Sequence, residues 1–388
     1  MATKKPAESA KGPRTRRIVA GEKRPRRRAL EGAMAAGLAL LIGAGAVVAS
    51  VSAEHRGKTV PVAEIQQRTP AAKLRLGYFG NVTHAPALVG LQQGFFAKEL
   101  GTTKLSSQVF NAGPAAVEAL NAGAIDAAYL GPNPAINSYA TSRGASLRII
   151  AGAASGGAEL VVKPGINSAA DLKGKVLASP QLGGTQDVAL RSWLTGQGLE
   201  TRPGSGGDVT INPTDNAQTL KLFQDGQLDG AWLPEPWASR LVRQAGAKVL
   251  VDEKDLWDGG QFASTVLVVS VSFVHAHPQT VEQLLRGHVE SVSWLQDHPG
   301  QAESVINAGL QAAAGSPLPP EVIKRALSKL VFTVDPLANT FHELLQHGVD
   351  AGVTKPADIN GIFDLRLLNK LRSEAGQPDL SPAGLGLK

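Results

Sequence analysis

The sequence predicts an α/β fold divided into two lobes, and three observations lead there. From Lys73 onward, short β-branched runs alternate with segments of helical periodicity. Five of the strand-like runs stop at clusters of Gly, Pro, Asn or Thr, at 80–84, 111–114, 131–134, 180–186 and 234–237. The alternation continues for about 315 residues, more than one ordinary domain holds. Alternating strands and helices imply parallel sheets. No repeat of fixed period appears.

The elements follow in order. KLRLGYF (73–79) alternates apolar and polar residues and stops at Gly80-Asn81, as a strand does on entering a loop. Leu88, Leu91 and Phe95 give helical spacing to 84–97. TKLSSQVF (103–110) is a second strand, ended by Asn111-Ala112-Gly113-Pro114. Pro114 suits a helix start, over 114–122. Strand 124–130 ends at Gly131-Pro132-Asn133-Pro134, ahead of a helix at 134–143 and a strand at 146–151. Strand 159–163, helix 168–172, strand 175–178 and helix 185–197 come next, then strand 208–212 and helix 214–225. Strand 229–233 runs into Pro234-Glu235-Pro236-Trp237, helix 236–245 and strand 247–251. STVLVVSV (264–271) is a continuous strand-forming run, and the remainder reads as helices at 278–297, 299–314, 319–328, 337–348 and 356–359. Residues 371–388, rich in Gly and Pro, read as a flexible tail.

Charge is unevenly placed. Residues 1–53 carry eleven Lys/Arg and three Asp/Glu, while the rest carries 28 basic and 30 acidic residues. The folded body therefore lacks the basic excess that nucleic-acid binding needs. The basic residues at 14–28 precede an uncharged apolar run at 33–51 and then Val51-Ser52-Ala53, the layout of a secretory signal. A 19-residue run is also long enough to span a bilayer, so cleavage after Ala53 and retention as a membrane anchor both remain open. Residues 54–72 are polar, contain two prolines and read as a linker. The chain has no cysteine, which excludes disulfides, thiol catalysis and iron–sulfur clusters.

In an open α/β sheet, ligands sit beyond the carboxyl ends of the strands. That rule selects Gly80, Asn81 and His84 in the first loop and Ala112 and Gly113 in the second. It selects Gly131, Pro132 and Asn133 in the third, and Gly183, Gly184, Thr185 and Gln186 in the fourth. Pro234, Glu235 and Pro236 form the fifth. Each loop leads into a helix, whose first N–H groups and dipole favour an anion. Thr185 is placed to cap its helix. No arginine lies in these loops, so an anion would be held by amides and hydroxyls. The only close histidine pair, His275 and His277, lacks a third metal ligand, and no metal or cofactor is expected. Neither GxSxG, HExxH nor a P-loop is present, so binding without chemistry is the expectation.

Several stretches resemble the substrate-binding components of nitrate/sulfonate/taurine ABC transporters. They are LRLGYF (74–79), ALVGLQQGFFAKELG (87–101), ALNAGAIDAAYLGPNPAI (119–136), INSAADLKGKVLASPQLGGTQDVALRSWL (166–194), LFQDGQLDGAWLPEPWASRLV (222–242) and GAKVLVD (246–252). The resemblance implies a two-lobed type II periplasmic-binding-protein fold with a hinge and a ligand cleft between lobes. It places lobe I at 73–160 plus 262–370 and lobe II at 163–256. It implies an extracytoplasmic protein that captures a small anionic solute, an aliphatic sulfonate above others, and hands it to a permease and an ATPase. Nitrate, taurine and a thiamine-precursor pyrimidine are the alternative solutes. A membrane-anchored sensor and an enzyme on the same fold are rival readings, but the synthases of this fold carry a cysteine-rich motif that this chain lacks.

Overall fold

The computed structural model describes residues 70–203 and 206–387. The signal or anchor expected at 1–53, and the linker over 54–69, lie outside the described residues. Among the described residues no helix is long and apolar enough to cross a membrane.

The chain opens with β1 (Lys73–Phe79), a 3-10 turn at Val82–His84, α1 (Ala85–Gln92) and α2 (Phe95–Leu100). The single helix expected at 84–97 is broken at Gly94, which takes a left-handed φ of 75°. β2 (Lys104–Phe110), α3 (Gly113–Asn121), β3 (Ala127–Leu130), α4 (Pro132–Thr141) and β4 (Leu147–Gly156) complete the first stretch. β3 is shorter than the run at 124–130 because Asp126 is drawn into a turn, where it accepts from Arg75 N at 2.8 Å and Arg75 Nε at 2.9 Å.

The chain then passes to a second sheet. It contains β5 (Ala158–Val162), β6 (Val176–Ser179), α5 (Thr185–Gly196), β7 (Thr210–Pro213), α6 (Asn216–Gln224), β8 (Gly230–Pro234), α7 (Trp237–Gln244) and β9 (Lys248–Asp252). It returns through β10 (Ala263–Ser270) to α8 (Val271–Ala276), α9 (Pro278–Asp297), α10 (Pro299–Ala314), α11 (Pro320–Leu327), β11 (Leu330–Phe332), α12 (Phe341–Asp350) and α13 (Arg366–Glu374).

The two sheets are built alike. The first has the order β11-β4-β10-β3-β1-β2 and the second β7-β6-β8-β5-β9. Each has a parallel core, β2-β1-β3 and β7-β6-β8. Each also has a strand from the crossing segments running against that core, β10 in the first and β5 in the second. The sheets are therefore mixed rather than parallel, because these two strands arrive directly from the other lobe without a crossover helix. β10 is buried along all eight residues, as its continuous apolar run requires.

The first crossing occurs at Gly156-Gly157, with φ of 79° and 71°. A Cβ on Gly156 would lie 2.6 Å from Lys329 O, so only glycine fits there. Residues 158–160, expected in lobe I, belong to the second sheet. The second crossing covers 253–262. In lobe I, Phe96 is fully buried, and a Cβ on Gly287 of α9 would lie 2.8 Å from its ring. Cutting such a ring back to alanine costs about 3–5 kcal/mol.

The carboxyl-terminal residues are packed, not a flexible tail. Leu371 and Leu385 are buried, Phe363 bridges Gly386, and Lys370 pairs with Glu282 at 2.8 Å. At the other end Ala71 is buried and donates its N–H to Thr280 Oγ1 at 2.8 Å, so the end of the presumed linker belongs to the folded body. No helix forms at 356–359, where Asp358 instead caps a turn through Asn360 N.

Candidate ligand-binding site

A cavity of about 30 Å³ lies between the lobes. That is room for about two water molecules, or a small polar headgroup. From lobe I come Phe79, Asn81, Thr83 and His84 beyond β1, Asn111, Ala112 and Gly113 beyond β2, and Gly131 and Pro134 beyond β3. Lobe II adds Pro180, Gly184, Thr185 and Gln186 beyond β6, Asn216 beyond β7, and Pro234 at the end of β8. Ser264 and Thr265 of β10 complete the lining.

The first residues of four helices meet here: Gly113 of α3, Gly131 ahead of α4, Gly184-Thr185 at α5 and Asn216 of α6. The N-caps of α3, α4 and α5 are Ala112, Gly131 and Gly184, and none is capped by a side chain. Their first-turn N–H groups therefore lack the usual internal acceptor, which an oxyanion would supply.

Three buried side-chain atoms around the cavity have no hydrogen-bond partner: Thr185 Oγ1, Thr265 Oγ1 and Asn216 Oδ1. A buried polar group left unpaired costs about 1–3 kcal/mol, and the two hydroxyls can donate to an anion, whereas Asn216 Oδ1 can only accept. Thr185 was expected to cap α5. It is instead the first residue inside the helix, Gly184 holds the cap position, and the threonine hydroxyl is left uncommitted.

His84 is buried, and burial lowers its pKa to about 3, so the imidazole is neutral. Its Nδ1 accepts from Phe79 N at 3.2 Å, which leaves the proton on Nε2 as a donor. The ring stacks on Phe79 with centroids 4.2 Å apart. No lysine or arginine lines the cavity.

The lobes are closed over this space. Trp237 Nε1 donates to Asn81 Oδ1 at 2.9 Å, and Thr83 N donates to Glu235 O at 3.4 Å. A Cβ on Gly131 would lie 2.2 Å from Thr185 Oγ1, so glycine is what lets the lobes approach this closely.

The remaining residues selected from the sequence lie elsewhere. Gly80 and Pro236 line a neighbouring chamber. Pro132 is buried in the first turn of α4, away from the cavity lining. Asn133 turns away and donates from Nδ2 to Leu344 O at 2.8 Å. Gly183 lies on the outer side of its loop, beside Pro203 and Val353.

Glu235 is fully buried behind the cavity and accepts from Ser239 and from Arg325 Nη1 at 2.9 Å. Arg325 of α11 also pairs with Glu159 at 2.7 Å, and Lys329 joins Glu159 and Asp252 at 2.8 and 2.9 Å. Burial, together with the neighbouring Glu159, pushes Glu235 up to about 7. Glu235 thus anchors the turn that presents Pro234 and does not touch the cavity.

The residues selected from the sequence leave out Phe79, Thr83, Asn111, Pro134 and Pro180, which lie in or beside the selected loops, and Asn216, Ser264 and Thr265, which lie away from them. The β7–α6 turn that carries Asn216 was a strand end like the others and could have been included. Ser264 and Thr265 stand at the beginning of an antiparallel strand, which lies at the same edge of the sheet as the parallel strands' ends.

Two mixed sheets joined by two crossings, with a cavity between them, define a two-lobed protein of the periplasmic-binding type. Residues 67–309, more than half of the chain, match the model of the NMT1-like family, and the chain belongs to that family. The nitrate/nitrite binding protein NrtA of Synechococcus elongatus (strain ATCC 33912 / PCC 7942 / FACHB-805) is 26% identical over 247 residues, covering 57% of this chain and 54% of that one. The first curated relatives are matched over about 60% of their length.

Among solved structures, the alkanesulfonate-binding protein SsuA from Xanthomonas axonopodis pv. citri bound to MOPS aligns with a TM-score of 0.63 at 24% identity, over 74% of this chain and 96% of that one. The periplasmic nitrate-binding protein NrtA from Synechocystis PCC 6803 aligns with a TM-score of 0.68 at 17% identity, over 81% of this chain and 92% of that one. At these identities the two structures share its fold.

Proposed function

We propose that this protein is the extracytoplasmic solute-binding component of an ABC importer, capturing a small organic oxyanion, an aliphatic sulfonate, by closure of the cleft. The observation that carries the reading is the pair of unpartnered buried hydroxyls, Thr185 Oγ1 and Thr265 Oγ1, beside uncapped helix N-termini. Neutral donors suit a solute that is bound and then released. The cavity lining holds no carboxylate and no cysteine, so capture fits it better than chemistry. A permease and an ATPase would take the solute onward, and residues 1–53 would export or anchor the chain.

The cavity alone would suit nitrate. A second chamber of about 350 Å³ favours a ligand with a tail, because Asn81, Asn111 and Asn216 line both spaces. A thermal-shift panel on the full chain tests this, with alkanesulfonates, taurine, sulfate, nitrate and pyrimidines. A ligand at about a hundred times its Kd adds about 2.7 kcal/mol, a Tm rise of about 3–4 °C for a chain of this size. A rise with alkanesulfonates supports the reading. A rise with nitrate alone, or with none of the panel, overturns it.

A further inference from the structure

The second chamber has apolar walls, Phe110, Trp237, Leu310 and Leu318 among them, and two charged residues, Asp215 and Arg240. Asp215 is already employed: it is the N-cap of α6 and its Oδ1 accepts from Ala217 N at 3.0 Å. Arg240 is placed differently. Its Cζ lies 4.7 Å from the centre of the Trp237 ring, and its Nε donates to Gln244 Oε1 at 3.0 Å. Among the described residues no carboxylate forms an ion pair with it; Arg143, Arg148, Arg243 and Arg372 are also without one, but of these five only Arg240 lines the chamber. Burial lowers its pKa, and no acidic neighbour offsets that effect.

A half-buried guanidinium without a counter-charge, in a chamber that shares Asn81, Asn111 and Asn216 with the inner cavity, is poised to receive an anion. It is also stacked on Trp237, whose indole N–H fastens the two lobes at Asn81.

Resting on the solute-binding reading above, we propose that the ligand is bifunctional: an oxyanion headgroup fills the inner cavity, and a carboxylate on its tail meets Arg240 in the outer chamber. Arg240 is then the residue that selects among sulfonates. The apolar walls accommodate the methylene chain between the two groups, and the tail carboxylate braces Arg240 and Trp237 in the closed arrangement.

Titration calorimetry on the full chain tests this with three sulfonate series of equal chain length: methyl-ended, carboxylate-ended and amine-ended. The carboxylate-ended compound is expected to bind about tenfold tighter than the methyl-ended one. Arg240→Gln should close that gap, and Arg240→Lys should keep part of it. Equal affinity of the methyl- and carboxylate-ended compounds overturns the proposal and leaves the solute-binding reading in place. So does preference for the amine-ended compound, which would make Asp215 the selecting group. A gap that persists in Arg240→Gln also overturns it. Absence of binding by every sulfonate overturns the reading of the site itself.

Discussion

Trp237 of the second lobe donates its indole N–H to Asn81 Oδ1 of the first at 2.9 Å, at the wall shared by the cavity and the outer chamber. The bond joins the two lobes directly. Trp237→Phe keeps an aromatic ring beside Arg240 and removes the donor. A hydrogen bond of this kind contributes about 1 kcal/mol. Ligand affinity should fall about fivefold by calorimetry, with a more open average shape by small-angle scattering. Unaltered affinity would show that closure does not depend on this bond.

Thr185 Oγ1 has no partner within the protein. Thr185→Val keeps the shape and removes the hydroxyl, so no protein hydrogen bond is lost. The unliganded Tm should hold or rise, while ligand affinity drops about tenfold, as expected for a lost hydrogen bond to a charged group. A variant with reduced Tm and intact affinity would place the hydroxyl in a structural role. Gly131→Ala tests the same contact from the other lobe, since its methyl would intrude on Thr185 Oγ1. It should weaken binding by hindering closure and leave the separate lobes folded.

Arg325 reaches from α11 across to Glu159 and Glu235, both fully buried. Removing one side of a buried ion pair leaves uncompensated charge, at a cost of about 3–5 kcal/mol. Arg325→Met should therefore lower denaturant stability by about 3 kcal/mol at pH 8. The loss should shrink towards pH 5, where Glu235, already pushed up to about 7, takes up a proton. A loss independent of pH would contradict this assignment.

His288 is buried between Tyr129 Oη at 2.8 Å and Gly152 O at 2.7 Å, and burial lowers its pKa to about 4. Unfolded, it takes up a proton near 6.5. Between those values the unfolded chain holds the extra proton, so stability falls as the pH drops from about 6.5 towards 4. His288→Gln should lessen that slope by about one proton in urea titrations at pH 4.5–6.5. An unchanged slope would mean that His288 is charged in the folded protein.

Much of this arrangement was legible from local pattern. Gly183-Gly184-Thr185 announced a strand end meeting a helix start, and Gly113, Gly131 and Pro234 lie at similar junctions. Local pattern carries no information on pairing across the chain. Arg325 stands 90 residues from Glu235, and nothing near either residue announces the other. Ser264 and Thr265 escaped because β10 runs backwards through its sheet, which only the tertiary pairing with β3 and β4 reveals. The carboxyl-terminal segment misled for a related reason: its Gly and Pro content speaks for a tail, while Leu371 and Leu385 find the core through contacts distant in sequence.

Calorimetric titration of the full chain with a short alkanesulfonate, in parallel with Thr185→Val, most directly tests capture of an oxyanion in the cavity between the lobes. Saturable one-to-one binding that weakens about tenfold in the variant is the expected result. Binding of equal strength in both proteins, or none in either, would contradict it.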